Sequence, residues 1–259
     1  MDTTSSSPKI VLQIEGMIGR ITLNRPEKLN ALDPEMLTQL EAAAGALEAS
    51  SEVRAVILDS ASERAFCVGA DIHAWTALSP LEMWSTWNRR GHQVFERLAQ
   101  LRQPVIALLG GFAFGGRLEL ALTADIRIAT EQATFALPEV KLSTVPGWAG
   151  TYRLPQIIGR ARAKQMIFSG APINAHRAEQ WGLVNEVVSD LGAKGRELTD
   201  LICRNAPVSV QIAKQLVNSD ASNALALESL AGAVTAATAD AAEGLKSFQE
   251  KRAPEFKGK

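Results

Sequence analysis

Glu119 stands where a carboxylate is costly, inside the apolar run LELAL and three residues after the glycine pair Gly115-Gly116. Glycines before such a run predict a helix start, whose unpaired N–H groups and partial positive charge attract an anion. Helical side chains lean toward the N-terminus, so we expect the Glu119 carboxylate near the Gly116 N–H. Arg117 is a poor partner for Glu119, because residues two apart point to different sides of a helix. Glycine pairs also serve close helix packing, but the buried carboxylate makes Glu119 a candidate for catalysis or ligand binding.

A second carboxylate, Glu139, follows Pro138 between two apolar segments. Shortly after it, Pro146-Gly147 leads into a predicted helix, which supplies a second group of unpaired N–H donors. Two carboxylates beside two sets of backbone donors could polarise a carbonyl group and move protons and water about the neighbouring carbons.

The stretch AFCVGADIHAW, residues 65–75, places Gly69-Ala70-Asp71 after a predicted strand that ends near Ser60. Small residues let a ligand approach backbone N–H groups closely. A tight turn capped by Asp71 explains the same residues, so this stretch alone leaves both interpretations open.

Other chemistries find little support in the sequence. His73, His92 and His176 are the only histidines, and no GxSxG motif accompanies them. No GxGxxG motif joins a strand to a helix, and no GxxxxGK[ST] motif occurs. Cys67 and Cys203 are too few and wrongly spaced for a zinc site or a disulfide scaffold. We therefore expect no metal site, no dinucleotide site and no P-loop.

These candidate residues lie on alternating strand-like and helix-like segments. KIVLQIEGMIGRITLNR alternates apolar and polar residues on both sides of Glu15-Gly16, which predicts a β-hairpin. A helix follows, with Asp33 as its cap and Pro34 at its first position. Further predicted strands are VRAVILDS and PVIALLGG, and further predicted helices are LEMWSTWNRRGHQVFERLAQL and GRLELALTA.

After about residue 148 the pattern changes to helices, with one short predicted strand at VNEVV. The predicted helices are RARAKQMIFSG, NAHRAEQWGL, LGAKGRELTDLICRNA, VSVQIAKQLVNS and the alanine-rich stretch 222–250. The sequence therefore predicts an α/β core with a helical C-terminal part, whose apolar stripes serve packing and oligomer contacts.

Composition narrows the class of partner and the compartment. The 27 basic and 28 acidic residues give a net charge of -1, so no overall field attracts nucleic acid or an anionic membrane. The longest charge-free apolar run, Pro104–Gly116, has 13 residues, whereas a membrane span needs about 20. The N-terminal MDTTSSSPK has no signal-peptide pattern, and cysteines are few, so we expect a cytoplasmic protein.

Six sequence blocks, in order, resemble the crotonase superfamily, and within it the enoyl-CoA hydratases. The resemblance runs from about Ile10 to Lys257, and six ordered matches are far more specific than one. The blocks are ITLNRPEKLNAL, AFCVGADI, GGFAFGGRLELALTADIRIA, FALPEVKLSTVPGWAGTYRLPQIIG, AEQWGLVNEVV and SFQEKRAPEF.

The resemblance implies reversible syn addition of water to a 2-trans-enoyl-CoA, giving a 3-hydroxyacyl-CoA. The N–H groups of Ala70 and Gly116 would form the oxyanion hole for the thioester carbonyl. Glu119 would act as base on the attacking water, and Glu139 would deliver a proton to Cα. Gly147 matches a glycine whose N–H also binds that water. Coenzyme A is then part of the substrate and not a separate cofactor.

The family's coenzyme A contacts can be carried over by position. Lys28 and Leu29 match its adenine-side loop, and the residues around His73 match the path of the pantetheine arm. Phe248 and Lys251 match positions that reach the coenzyme A of a neighbouring subunit. The predicted substrate-binding residues are Lys28, Leu29, Ala70, Asp71, Ile72, His73, Gly116, Trp148, Phe248 and Lys251.

Three residues depart from the family pattern. Many relatives have a lysine where His73 stands, which puts one phosphate contact in doubt. Relatives commonly have a third glycine where Arg117 stands and a small residue where Trp148 stands. We expect Arg117 to alter the rim of its helix and Trp148 to narrow the acyl pocket.

The resemblance also implies a crotonase-like spiral of ββα units and assembly into homotrimers or homohexamers. We expect residues 1–8 to form a disordered leader, 9–198 the spiral core with the acyl-CoA site, and 199–259 the helical oligomerisation region. Relatives use the same oxyanion hole for other reactions, so Δ3,Δ2-enoyl-CoA isomerisation and a specialised acyl-CoA dehydratase or lyase reaction remain alternatives. Isomerisation needs only one acid/base group. A non-catalytic coenzyme A-binding or RNA-binding relative is the other alternative, and neutral charge without a basic, aromatic-rich stripe argues against RNA.

Overall fold

The chain begins with the β-hairpin predicted around Glu15-Gly16. The computed structural model describes residues 7–62, 65–67, 71, 74, 76–219 and 224–259. In it, strand β1 (Ile10–Glu15) pairs antiparallel with β2 (Ile18–Leu23). Gly16 takes a φ of +57° in the turn, a left-handed conformation that favours glycine.

Two sheets organise the strands. The strands that follow the hairpin in the described part are β3 (Ala55–Ser60), β4 (Ala65–Cys67), β5 (Val105–Leu109), β6 (Phe112–Phe114), β7 (Ile126–Ala129), β8 (Thr134–Ala136), β9 (Ile173–Asn174) and β10 (Glu186–Val187). The larger sheet has the order β1-β2-β3-β5-β7-β10, and its pairings after the hairpin are parallel. The smaller sheet has the order β4-β6-β8-β9.

The smaller sheet brings the candidate residues to one edge. Its strands β4, β6 and β8 run parallel, so the segments that leave their carboxyl ends emerge on the same side, where ligands bind in many α/β proteins. Strand β6 leads to Gly116 and Glu119, and its neighbour β8 leads to Glu139. The segment after β4 contains Ala70, which lies outside the described residues.

Helices cover the sheets and extend beyond them. The described α-helices of six or more residues are α1 (Pro34–Ala49), α2 (Arg89–Ala99), α3 (Gly116–Ala121), α4 (Gly150–Ile158), α5 (Arg160–Ser169), α6 (Ala175–Trp181), α7 (Leu191–Cys203), α8 (Pro207–Asn218), α9 (Ala224–Ala236) and α10 (Ala239–Glu250). The Asp33 carboxylate accepts the N–H of Met36 at 2.9 Å, so it caps α1 as predicted. Helix α2 continues a helical turn, Pro80–Glu82, and a π-helical segment, Met83–Asn88.

The larger sheet is buried on both faces. Val56 and Leu58 of β3 belong to the main apolar core, which includes the buried faces of α1 and α2. Ile57, between them, faces the opposite side and packs with Ile106 and Leu108 in a second apolar cluster, against which α7 lies. This explains why β3 and β5 read as continuous apolar runs and not as alternating patterns.

The stretch 222–250, predicted as helical, contains two helices. Helix α9 ends at Ala236, and the Thr238 hydroxyl caps α10 by accepting the N–H of Ala241 at 3.1 Å. A threonine in extended backbone at this position favours a new helix start over a continuous helix. No helix within the described residues is both long and apolar enough to cross a membrane.

Trp148 fills the space between the segment before α4 and helix α2. Its indole is buried, with ring centroids 5.1 Å from those of both Trp87 and Phe95. Gly91 of α2 lies beneath it, and a Cβ added there would lie 2.0 Å from Trp148 Nε1. Position 91 must therefore remain a glycine as long as residue 148 is tryptophan.

We predict that Gly91→Ala destabilises the protein by about 1–3 kcal/mol, because the added methyl group overpacks the Trp148 contact. Gly232→Ala is the matched control, since Gly232 is also helical but a Cβ there meets nothing within 4 Å. That control should stabilise its helix by roughly 0.5–1 kcal/mol. Urea unfolding of both variants checks the prediction, and equal effects at the two positions would contradict it. Gly91→Ala should also cost less when combined with Trp148→Ala.

Candidate active site

Glu119 is buried within helix α3, which is itself buried along its whole length. Gly115 precedes the helix with a φ of +60° and a ψ of -136°, a conformation that glycine adopts far more readily than other residues. Its N–H donates to the carbonyl of Ala136, next to the β8 end, at 2.9 Å. This turn fixes the start of α3 against the smaller sheet and so fixes the position of Glu119.

Two backbone N–H groups at the start of α4 hold the Glu119 carboxylate. Its Oε1 accepts the N–H of Trp148 at 2.8 Å and the N–H of Gly150 at 2.7 Å. Ala149, between these donors, has a φ of +74°, which turns both N–H groups toward the carboxylate. The sequence predicted the carboxylate near the start of its own helix, whereas its hydrogen bonds run to the start of the next one.

Gly150 gives the carboxylate the space it needs. A Cβ at this position would lie 2.8 Å from Glu119 Oε1 and 3.0 Å from Glu119 Cγ. Neither Gly150 nor the Trp148 N–H was identified from the sequence as part of the site. The only sequence signal was a second glycine three residues after Gly147.

Glu139 opens a short 3-10 helix, Glu139–Leu142, directly after Pro138. Its carboxyl is largely withdrawn from solvent, and Oε2 is buried without a hydrogen-bond partner among the residues the structure describes. Burial raises the pKa of Glu139 to about 7, and its own backbone N–H offsets part of that effect. A buried carboxyl with an unbonded oxygen favours the neutral, protonated form.

Burial also raises the pKa of Glu119 to about 7. The N–H of Gly150 lowers the pKa again, the negative charge of Glu139 raises it, and the N–H groups of Trp148 and Gly147 lower it. The effect of Glu139 on Glu119 means that the two carboxyls are close enough to interact. Glu119 thus lies near Glu139 and the segment with Gly147, and the catalytic roles of these residues stay predictions.

The other predicted catalytic residues fall into two groups. Gly116 is buried in the first turn of α3, where its N–H belongs to the unpaired donors of a helix start. Ala70, Ile72 and His73 lie outside the described residues. The predicted pairing of Ala70 and Gly116 as an oxyanion hole therefore stays a prediction.

Arg25 connects two predicted coenzyme A segments. Its Nη1 donates to Asp71 Oδ2 at 2.9 Å and to the carbonyl of Ala31 at 2.8 Å. The Asp71 N–H also donates to the carbonyl of Leu32 at 2.8 Å. The loop with exposed Lys28 and Leu29 thus lies beside Asp71.

Three further residues singled out in the sequence lie on or at the end of helices α10 and α3. Phe248 projects from α10 and is 84% exposed, and Lys251 caps that helix with a φ of +54°. Arg117 is completely buried on α3, and its expected effect on the rim of that helix stays a prediction. Within the described residues, no three His, Cys, Asp or Glu side chains are grouped as a metal site.

The chain is similar to known proteins over nearly its whole length. The family model described as enoyl-CoA hydratase/isomerase matches residues 13–259. A short-chain-enoyl-CoA hydratase of Clostridium acetobutylicum is 41% identical over 249 residues, covering 94% of this chain and 95% of that protein. An (E)-benzylidenesuccinyl-CoA hydratase of Thauera aromatica is 36% identical over 256 residues, covering 96% and 99%.

Among solved structures, an enoyl-CoA hydratase from Bacillus anthracis superposes with a TM-score of 0.92 at 36% identity, covering 97% of this chain and 100% of that one. The fold is therefore that of the crotonases, with the helical C-terminal region that the sequence predicted. The chain belongs to the enoyl-CoA hydratase/isomerase family. The expectation that it is an enzyme is confirmed with it.

We predict that Gly150→Ala destabilises the protein by about 1–3 kcal/mol, because the new methyl group displaces the Glu119 carboxylate from its two N–H donors. Gly244→Ala is the control, since a Cβ there would make only ordinary contact, 3.6 Å from the Phe256 ring. Urea unfolding at pH 7 measures both. A Gly150→Ala variant as stable as Gly244→Ala would show that the carboxylate does not need this glycine.

Proposed function

We propose that the chain is an enoyl-CoA hydratase, a lyase that adds water reversibly and syn to a 2-trans-enoyl-CoA. The observation that carries this proposal is the pair of interacting glutamates, both with a pKa raised to about 7 by burial. Hydration needs a base for the water and an acid for Cα, and groups with pKa values near the working pH perform both tasks well. The hydratase names of the relatives support the same reaction.

The environments of the two carboxyls suggest which one is ionised. Glu119 accepts two backbone N–H groups, which favour its carboxylate form. Glu139 has a buried oxygen without a partner among the described residues, which favours its protonated form. Glu119 is then the base and Glu139 the acid, in agreement with the roles that the family resemblance implies.

The proposed reaction follows from these protonation states. The thioester carbonyl accepts the N–H of Gly116 and that of Ala70, which stabilises the negative charge that develops on its oxygen. Glu119 takes a proton from the water while the water oxygen bonds to Cβ. The electrons of the double bond move toward Cα and the thioester, and Glu139 transfers its proton to Cα. The N–H of Gly147 orients the water.

Substrate binding is proposed for the remaining residues. Lys28 and Leu29 would contact the adenine side of coenzyme A, and the segment with Asp71, Ile72 and His73 would contact the pantetheine arm. The link from Arg25 to Asp71 supports this arrangement, because it holds Asp71 next to the loop that carries Lys28 and Leu29. The buried Trp148 would limit the depth of the acyl pocket, which favours short acyl groups.

Assembly as a homotrimer or homohexamer is proposed for residues 199–259. Helices α9 and α10 expose large apolar side chains to an extent that is unusual in a monomer. These are Leu225, Leu230, Val234, Leu245 and Phe248, each more than half exposed. Phe248 and Lys251 would then contact the coenzyme A of the neighbouring subunit.

We predict that Glu119→Gln and Glu139→Gln each lower the rate of crotonyl-CoA hydration by roughly 10²–10⁴, the usual loss when one general acid or base is removed. Disappearance of the enoyl absorbance measures the rate. Glu131→Gln is the control, because Glu131 is exposed in the turn before β8. Unchanged turnover in both site variants would rule out the mechanism.

We predict a bell-shaped dependence of kcat/KM on pH with its maximum near pH 7. Below the maximum Glu119 becomes protonated and loses its function as base, and above it Glu139 loses the proton that it donates. A flat rate profile from pH 5 to 9 would contradict the assignment.

The raised pKa of Glu119 also means that the free energy of unfolding falls as the pH rises from about 4.5 through 7. Glu119→Gln removes this loss of stability, so the variant should unfold no more easily than the wild type at pH 8.

A further inference from the structure

Asn88 is the last residue of the π-helical segment Met83–Asn88, just before α2. Such segments are rare and occur often at functional sites, because the wider turn re-aims the side chains around it. Here Trp87 turns into the aromatic cluster with Trp148, whereas Asn88 beside it is only half-buried.

The carboxamide of Asn88 lies against Gly147. A Cβ on Gly147 would be 3.0 Å from Asn88 Oδ1 and 4.0 Å from Asn88 Nδ2. Gly147 directly precedes Trp148, whose N–H holds Glu119. Asn88 and Glu119 therefore contact the same short segment, residues 147–150.

No hydrogen-bond partner for this carboxamide is found in the part of the chain that the structure describes. An asparagine carboxamide offers two N–H donors and one acceptor oxygen. Asn88 is half-buried, so its carboxamide is within reach of water or of a polar group of a ligand that replaces that water. The neighbouring Trp87 and Trp148 offer mainly apolar surface, so the partner that would fit here is a small polar group from outside the chain.

The aromatic cluster behind Gly147 limits what can reach Asn88. Trp148 packs against Trp87, Phe95 and Gly91, so aromatic rings occupy the space on this side of Gly147. A short acyl group whose Cβ is next to Gly147 would place its following carbon beside the carboxamide.

We propose that Asn88 is a specificity-determining residue that selects short enoyl-CoA substrates with a hydroxyl group on the carbon next to Cβ. The proposal rests on the proposed hydratase function. A hydroxyl group both donates and accepts, so it can bind the Asn88 oxygen and nitrogen at once. A methyl group at the same carbon would leave the carboxamide unpaired, which disfavours it.

The test compares hydration of 4-hydroxycrotonyl-CoA with that of crotonyl-CoA, by the full-length wild type and by Asn88→Leu, which keeps the size and removes the polar atoms. We expect Asn88→Leu to lower kcat/KM for 4-hydroxycrotonyl-CoA about tenfold, mainly through KM, the usual scale for one lost hydrogen bond. Crotonyl-CoA should change less than about threefold. Thr86→Leu, an exposed position in the same π-helical segment, should change neither value.

Equal losses on both substrates would overturn the proposal, because Asn88 would then act on the shared machinery, and so would no loss on either. Asn88→Ala repeats the comparison if Asn88→Leu fails to fold. Binding separates this proposal from the proposed function. If the wild type hydrates neither thioester, calorimetry with 4-hydroxybutyryl-CoA and butyryl-CoA still tests Asn88. An Asn88-dependent preference for the hydroxylated thioester supports the proposal, and equal binding overturns it.

Discussion

The hydrogen bonds from the start of α4 to Glu119 determine how much of the surrounding structure can vary. A carboxylate in the interior needs donors, and the N–H groups of Trp148 and Gly150 supply them. To direct both donors at one oxygen, the chain takes a positive φ at Ala149 and omits a side chain at Gly150. The Trp148 indole beside these donors is buried, and position 91 of α2 must accommodate it. One buried charge thus constrains two helices and the segment between them.

The two glutamates share their environment but differ in their bonding. Both are withdrawn from water, which raises both pKa values, and the charge of Glu139 raises the pKa of Glu119 further. Two backbone N–H groups favour the carboxylate form of Glu119, whereas Glu139 has a buried oxygen without a partner among the described residues. Since the donors to Glu119 are backbone groups, no side-chain motion is needed to bring them to the carboxylate.

The sequence predicted the parts of this structure that local patterns control. The alternation around Gly16 predicted the hairpin, and Asp33 predicted the start of α1. The apolar run around Glu119 predicted a buried helix, which is α3. The partners of Glu119 could not be predicted this way, because they lie 29 and 31 residues away and depend on how α4 packs. The π-helical turn at Asn88 has the same origin: its sequence is amphipathic like that of an ordinary helix, and packing around Trp87 and Trp148 accompanies the wider turn. The pairing of Ala70 and Gly116 as an oxyanion hole was predicted from the family resemblance, because local patterns do not indicate which N–H groups meet in space.

The contact between Trp148 and Gly91 also determines the order in which these two residues can be substituted. A larger residue at position 91 clashes with the indole, whereas a smaller residue at position 148 leaves a cavity that Gly91 alone does not fill. A substitution of Trp148 must therefore come first, and a side chain at position 91 can be tolerated only after it. Variation at residue 91 is thus conditional on residue 148, so a lineage that retains the tryptophan keeps a glycine in the middle of α2.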